Sequence, residues 1–142
     1  MRLRNGLISL GVGVALALGV GAAPAQAATS WNLQYTPADM VGAHAWGTVG
    51  TRSDGRWTLT GNIRDSASDS HGARLEVWVV YDCGFGGERY EQLDASGYLA
   101  ENRMTWNGDG DTTSMIAVRE VLTEAGENWD WDSWVTIYGG VC

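Results

Sequence analysis

Two histidines, His44 and His71, are the only side chains suited by type to acid–base work near neutral pH. His71 closes the loop Asp65-Ser66-Ala67-Ser68-Asp69-Ser70-His71, which holds the three residue types of a hydrolase triad. Triads are assembled from distant segments in a fixed geometry, and a polar loop gathers these types by composition alone. No Gly-x-Ser-x-Gly turn is present to expose a serine nucleophile. In the acidic run Asn107-Gly108-Asp109-Gly110-Asp111, the positions Asp109, Asp111, Thr113 and Glu120 match an EF-hand calcium loop. Ser114 stands where that loop needs glycine for its sharp turn, so a hydrated hairpin tip is expected and no metal. Glycoside hydrolysis needs two carboxylates flanking one bond, but with 17 acids some pair is always at hand and the signal says little. These residues together predict a chain that is not an enzyme and carries no cofactor.

Tryptophan is the better lead, with eight in the chain. Trp129-Asp130-Trp131-Asp132 sets two indoles beside two carboxylates, and Trp134 follows. Exposed indoles alternating with acids can anchor a protein interface or stack on sugar rings. Trp78 is out of phase with the apolar residues around it, which puts it on an outer surface, as Trp134 also is. Near the beginning, Trp31, Leu33 and Tyr35 alternate before Pro37. In an extended chain they point one way, as in an arm that adds to another sheet or groove. An edge strand of the domain's own sheet accounts for the same alternation, so residues 28–42 are read as either. The expected partner-binding residues are Trp31, Leu33, Tyr35, Trp129, Trp131 and Trp134.

The elements that must position these side chains are strands. Trp57, Leu59, Gly61 and Ile63 fall on one face of a period-two segment, with Thr58, Thr60, Asn62 and Arg64 on the other. Leu75, Val77, Val79 and Tyr81 repeat the pattern, as do Val135 and Ile137 near the end. Further strands are expected over 43–51, 88–93, 98–106 and 113–120, with a turn at Ser53-Asp54-Gly55-Arg56. About seven strands at regular spacing predict an all-β, single-domain β-sandwich over 43–142.

The first residues place this domain outside the cell. Arg2 and Arg4 precede an apolar run from Gly6 to Ala23, which ends at Ala25-Gln26-Ala27. Basic, apolar and Ala-x-Ala parts in that order form a secretory signal peptide over 1–27. Its removal takes two of nine basic residues and no acid, which leaves a mature net charge of −10. Such a surface repels phosphate backbones and anionic bilayers, so neither nucleic acid nor membrane is expected as a partner after cleavage. The only two cysteines, Cys83 and Cys142, are expected to form one bridge in an oxidising space. Closing that loop would stabilise the fold by roughly 4 kcal/mol in the chain-entropy model.

The runs Trp57-Thr-Leu-Thr-Gly-Asn-Ile-Arg-Asp65 and Ala73-Arg-Leu-Glu-Val-Trp-Val-Val-Tyr-Asp-Cys83, with Trp134-Val-Thr-Ile-Tyr138 before Cys142, resemble small secreted proteins of actinobacteria. The resemblance covers about 43–142. Among similar proteins are the adaptor subunits of umbrella-shaped secreted toxin particles. That likeness implies a sandwich docking on the repeat-bearing toxin subunit and an N-terminal arm, here about 28–42, entering a lectin subunit. The expected function is therefore a secreted, non-enzymatic protein–protein interaction module, such as a toxin-complex adaptor. A carbohydrate-binding module using exposed tryptophans and a secreted enzyme inhibitor are the alternatives.

Overall fold

The computed structural model describes residues 27–108 and 113–139, with Cys83 described by its backbone only. Residues 1–26 of the expected leader, the carboxylates Asp109 and Asp111, and the expected Cys83–Cys142 bridge therefore lie outside the described residues.

Among the described residues the chain is all-β, with nine strands in two antiparallel sheets and a single 3-10 turn at Asp82–Gly84. The strands are β1 (Thr29–Asn32), β2 (Ala43–Thr51), β3 (Trp57–Asp65), β4 (Gly72–Tyr81), β5 (Glu88–Ser96), β6 (Glu101–Asn107), β7 (Thr113–Glu124), β8 (Glu127–Trp131) and β9 (Val135–Gly139). One sheet runs β1-β2-β3-β6, and the other runs β5-β4-β7-β8 with β9 also paired to β7. The two sheets face each other as a sandwich. Their inner faces supply the core: Ala45, Val49, Trp57, Leu59 and Ile63 from one, Leu75, Val77, Val79, Ile116 and Val118 from the other, each at most 2% exposed.

Alternation explains this division, because every second side chain of a strand points to the same side. β3 buries Trp57, Leu59, Gly61, Ile63 and Asp65 and leaves the residues between them half-exposed. Gly61 belongs in that inner row for want of space. A Cβ there would stand 2.6 Å from Leu75 Cδ2 and 2.9 Å from Trp106 Cζ3, so the missing side chain is what lets the two larger ones meet. Asp65 is buried at the strand end as a turn organiser. Its carboxylate accepts the Ala67 and Gly97 N–H groups, joining the β3–β4 and β5–β6 connections.

Nine strands replace the expected seven because β1 and β8 are additional. β8 is exposed along its whole length, so the sequence offers no buried row by which to recognise it. β7 likewise continues to Glu124, past the strand end expected at residue 120, because β8 pairs with its end at Val121–Glu124.

The N-terminal segment belongs to this domain. β1 pairs with β2, with Trp31 opposite Gly47, and Leu33 N–H continues the ladder by donating to Ala45 O. Leu33 is 1% exposed, which corrects its assignment to a partner: its side chain fills its own core. Trp31 is half-buried against the same core. Tyr35 does not share their direction. Asn32 Oδ1 accepts the Gln34 N–H, the chain turns, and Tyr35 sits at φ 65°, 90% exposed. The expected row of three parallel side chains is thus broken by an Asx turn after the second.

A buried carboxylate closes the segment onto the opposite sheet. Glu120 of β7 is fully buried, and its two oxygens accept the N–H groups of Met40 and Ala45. Burial raises its pKa from 4.5 to about 7. The two N–H donors pull the other way, and Asp39 and Asp132 add to the rise.

Candidate binding surface

The outward residues of β4 are Arg74, Glu76, Trp78 and Val80, and register sets a neighbour on either side of each. Arg74 lies between Asp94 and Val121, Glu76 between Gln92 and Arg119, and Trp78 between Tyr90 and Ala117. The far side of β7 carries two strands in succession, β8 beside Val121–Glu124 and β9 beside Met115–Val118. Trp131 ends β8, and Trp134 sits in the short break before β9.

This arrangement gathers residues far apart in sequence into one line of rings. Tyr90 and Trp78 stack with centroids 6.0 Å apart and planes within 5°. Trp134 meets Trp78 at 5.7 Å with a 57° tilt. The Arg119 guanidinium lies 4.5 Å from the Trp134 ring and 5.8 Å from the Trp131 ring, within cation–π range of both. Ala117 and Val121 point outward with Arg119, yet both are at most 1% exposed, Ala117 lying opposite Trp78 and Val121 opposite Trp131 in register.

Charge pairs hold the line in place. Glu76 accepts from Arg119 Nε at 2.8 Å and from Asn128 Nδ2 at 2.9 Å. Arg74 donates to Asp94 at 2.5 and 3.1 Å, to Asn128 Oδ1 at 2.7 Å and to the Gly126 carbonyl at 2.9 Å. The hydrogen bond to Asp94 raises the Arg74 pKa against the opposing effect of burial. The network ties β4 to β5, β7 and β8, and so fixes the backbone from which Trp131 and Arg119 project. At the other end Tyr90 OH donates to Glu88 at 3.0 Å; desolvation and then that bond push its phenol pKa up.

Tyr90 and Trp131 remain 62% and 54% exposed, so the ends of the aromatic line are open while its middle is packed. The rim is acidic, with Glu88 and Asp94 outward on β5 opposite Val80 and Arg74, and with Asp130 and Asp132 flanking Trp131. Of the residues expected to bind a partner, Trp131 and Trp134 meet here, together with Trp78. Trp129 does not join them, since its ring packs 5.3 Å from His71 near the start of β4. Trp31, Leu33 and Tyr35 belong to the other sheet or the turn after it. Tyr90 and Arg119 are additions. Each lies in a strand expected from the sequence, but only cross-strand register reveals that they flank Trp78 and Glu76.

Comparison with known proteins returns no matching family model, no matching curated protein and no matching solved structure. The surface therefore has to be read from its own chemistry. Asp69, Ser70 and His71 do not form a relay: Ser70 Oγ donates to the Asp69 carbonyl, while His71 Nδ1 stands 3.5 Å from Asp69 Oδ1. Among the described residues no three His, Cys, Asp or Glu side chains group as metal ligands. No helix among them is long and apolar enough to cross a membrane.

Proposed function

We propose that this protein is a secreted, non-enzymatic protein-binding module whose contact surface is the outer face of the β5-β4-β7 sheet. One observation carries the reading: Tyr90, Trp78 and Trp134 follow in ring contact and the Arg119 guanidinium links Trp134 to Trp131, with both ends exposed. Tryptophan, tyrosine and arginine are the residue types that supply most interface energy when a partner excludes water from them. Here their side chains are already ordered by stacking and ion pairs, so little rotamer freedom is lost on binding. The acidic rim favours a partner with a basic face, whose arginines can pair with the carboxylates and stack on Trp131. The actinobacterial adaptor resemblance is compatible with a sandwich that docks by one face. Export through residues 1–27 and a Cys83–Cys142 bridge belong to the same proposal.

Affinity capture with the tagged protein in its native culture medium tests it. Trp131→Ala with Tyr90→Ala should reduce partner capture by at least tenfold while thermal unfolding stays cooperative. Undiminished capture by the double variant would move the contact surface elsewhere.

A further inference from the structure

The outer face of the other sheet is a second surface of different chemistry. Register lays its outward side chains in rows across the strands, and three of these frame the surface. Ser30, Thr48, Thr60 and Thr105 make a row of hydroxyls. Asn32, Trp46, Asn62 and Arg103 make the next. His44, Arg64 and Glu101 make the third. Over the first two rows lies an open groove of about 650 Å³, lined also by Trp31, Gly47 and Glu101.

Trp46 is the only aromatic side chain of these rows lining the groove, and it is held from one side. The His44 ring lies 4.7 Å from it, the Arg64 guanidinium 5.4 Å, and Arg64 is fixed by donating to Glu101 at 2.7 and 3.2 Å. The polar groups are also oriented. Asn62 Nδ2 donates to the Trp46 carbonyl at 3.1 Å, which leaves its oxygen as an acceptor, and the Thr60 and Thr105 hydroxyls lie 3.1 Å apart. Gly47 lies opposite the inward Gly61, and a Cβ there would stand 2.7 Å from Trp31 Cζ2 and collide with Thr60 O, so its absence makes room for the Trp31 ring that also lines the groove. The three rows carry no aliphatic side chain larger than the threonine methyl, so an apolar protein segment would find only the indoles of Trp46 and the half-buried Trp31 to cover.

An indole beside hydroxyls, amides and a guanidinium matches a sugar, which offers one C–H face for stacking and several hydroxyls for paired hydrogen bonds. Charge narrows the class. Glu101 is neutralised by Arg64, whereas Arg103, opposite Asn62 on the exposed strand β6, has no ion pair or hydrogen bond among the described residues. The groove is thus locally cationic on a chain of net charge −8. We infer that this groove binds an acidic saccharide, with a sugar ring stacked on Trp46 and a carboxylate held by Arg103. A guanidinium takes a carboxylate through two parallel hydrogen bonds, which would fix the ring's orientation as well as its charge.

Calorimetric titration with trigalacturonate, triglucuronate and neutral maltotriose tests the assignment, with melting curves to show that each variant is folded. At least one uronate should bind tenfold or more tightly than maltotriose. Trp46→Ala should weaken that uronate at least tenfold. Arg103→Gln, on an exposed strand where folding is not at risk, should remove most of the preference over the neutral sugar. Trp131→Ala, on the opposite face, should leave uronate binding unchanged. No binding of either uronate, a preference that survives Arg103→Gln, or a loss caused by Trp131→Ala would each overturn the inference.

Discussion

The two outer faces of this sandwich are built by the same rule and come out differently. On the β5-β4-β7 face, Arg74, Glu76, Asp94, Asn128 and Arg119 are bonded to one another, and three rings follow in contact, with Trp131 joined to them through Arg119. On the β1-β2-β3-β6 face, rows of threonine and asparagine surround one outward indole, and the Arg64–Glu101 ion pair, the only one there among the described residues, is about 40% exposed on both sides. Strand alternation makes both sets point outward; it does not make either a site. The difference lies at the edges. β8 and β9 extend the first face past β7, adding Trp131, Trp134 and Asn128, and so bury Arg74 and half-bury Trp78. Among the described residues nothing comparable rises over Trp46, and that face stays a shallow groove.

One consequence is that the first face should bear on stability and the second should not. Arg74→Ala removes bonds to Asp94, Asn128 and Gly126 from a side chain 7% exposed, and releases the hold on β5 and β8 together. Breaking such a pair destabilises by roughly 3–4 kcal/mol, the lower part of the usual span because Asp94 itself is half-exposed. Urea unfolding should show this as a lowered midpoint. A loss under 1 kcal/mol would make the two faces equivalent and end the contrast.

The interior between the faces adds a pH dependence of similar size. Glu120 has a folded pKa of about 7 against an ordinary 4.5, so the folded chain holds a proton that the unfolded chain releases. Its stabilising contribution is complete below pH 4.5 and is lost as the pH rises through 7. At 1.36 kcal/mol per unit the loss over that window is about 3 kcal/mol. Unfolding free energies between pH 4 and 8 should fall along this course in the native chain, with the slope reduced in Glu120→Gln. A slope that survives the substitution would trace to other groups. The smallest expected effect is Arg64→Ala on the second face. That exposed pair is worth at most about 1 kcal/mol and weakens in salt, so the melting temperature should shift by only a few degrees.

Much of this architecture was legible because burial leaves a period in the sequence. The Trp57–Ile63 row, the Leu75–Val79 row and the outward setting of Trp78 follow from alternation alone. β1 and β8 were harder, since an exposed edge strand carries no apolar row. Trp31, Leu33 and Tyr35 alternate on paper, but the Asn32 side chain caps the Gln34 N–H and turns the chain between the second and third. A local hydrogen bond outweighs the pattern there.

The candidate surface was legible only in pieces. Trp131 and Trp134 stood out by composition, and so did Trp129, which packs on His71 instead. The sequence by itself determined which residues point inward and which outward, because the strand period is a property of the backbone and needs no knowledge of neighbours. Tertiary structure alone decided that Tyr90 stacks on Trp78, that Arg119 sits between Trp131 and Trp134, and that Glu120 reaches the amides of Met40 and Ala45. Those contacts join segments up to 80 residues apart, and they are fixed by strand order and register. Register is set by the fit of the two inner faces around one shared core, which no single strand's sequence contains.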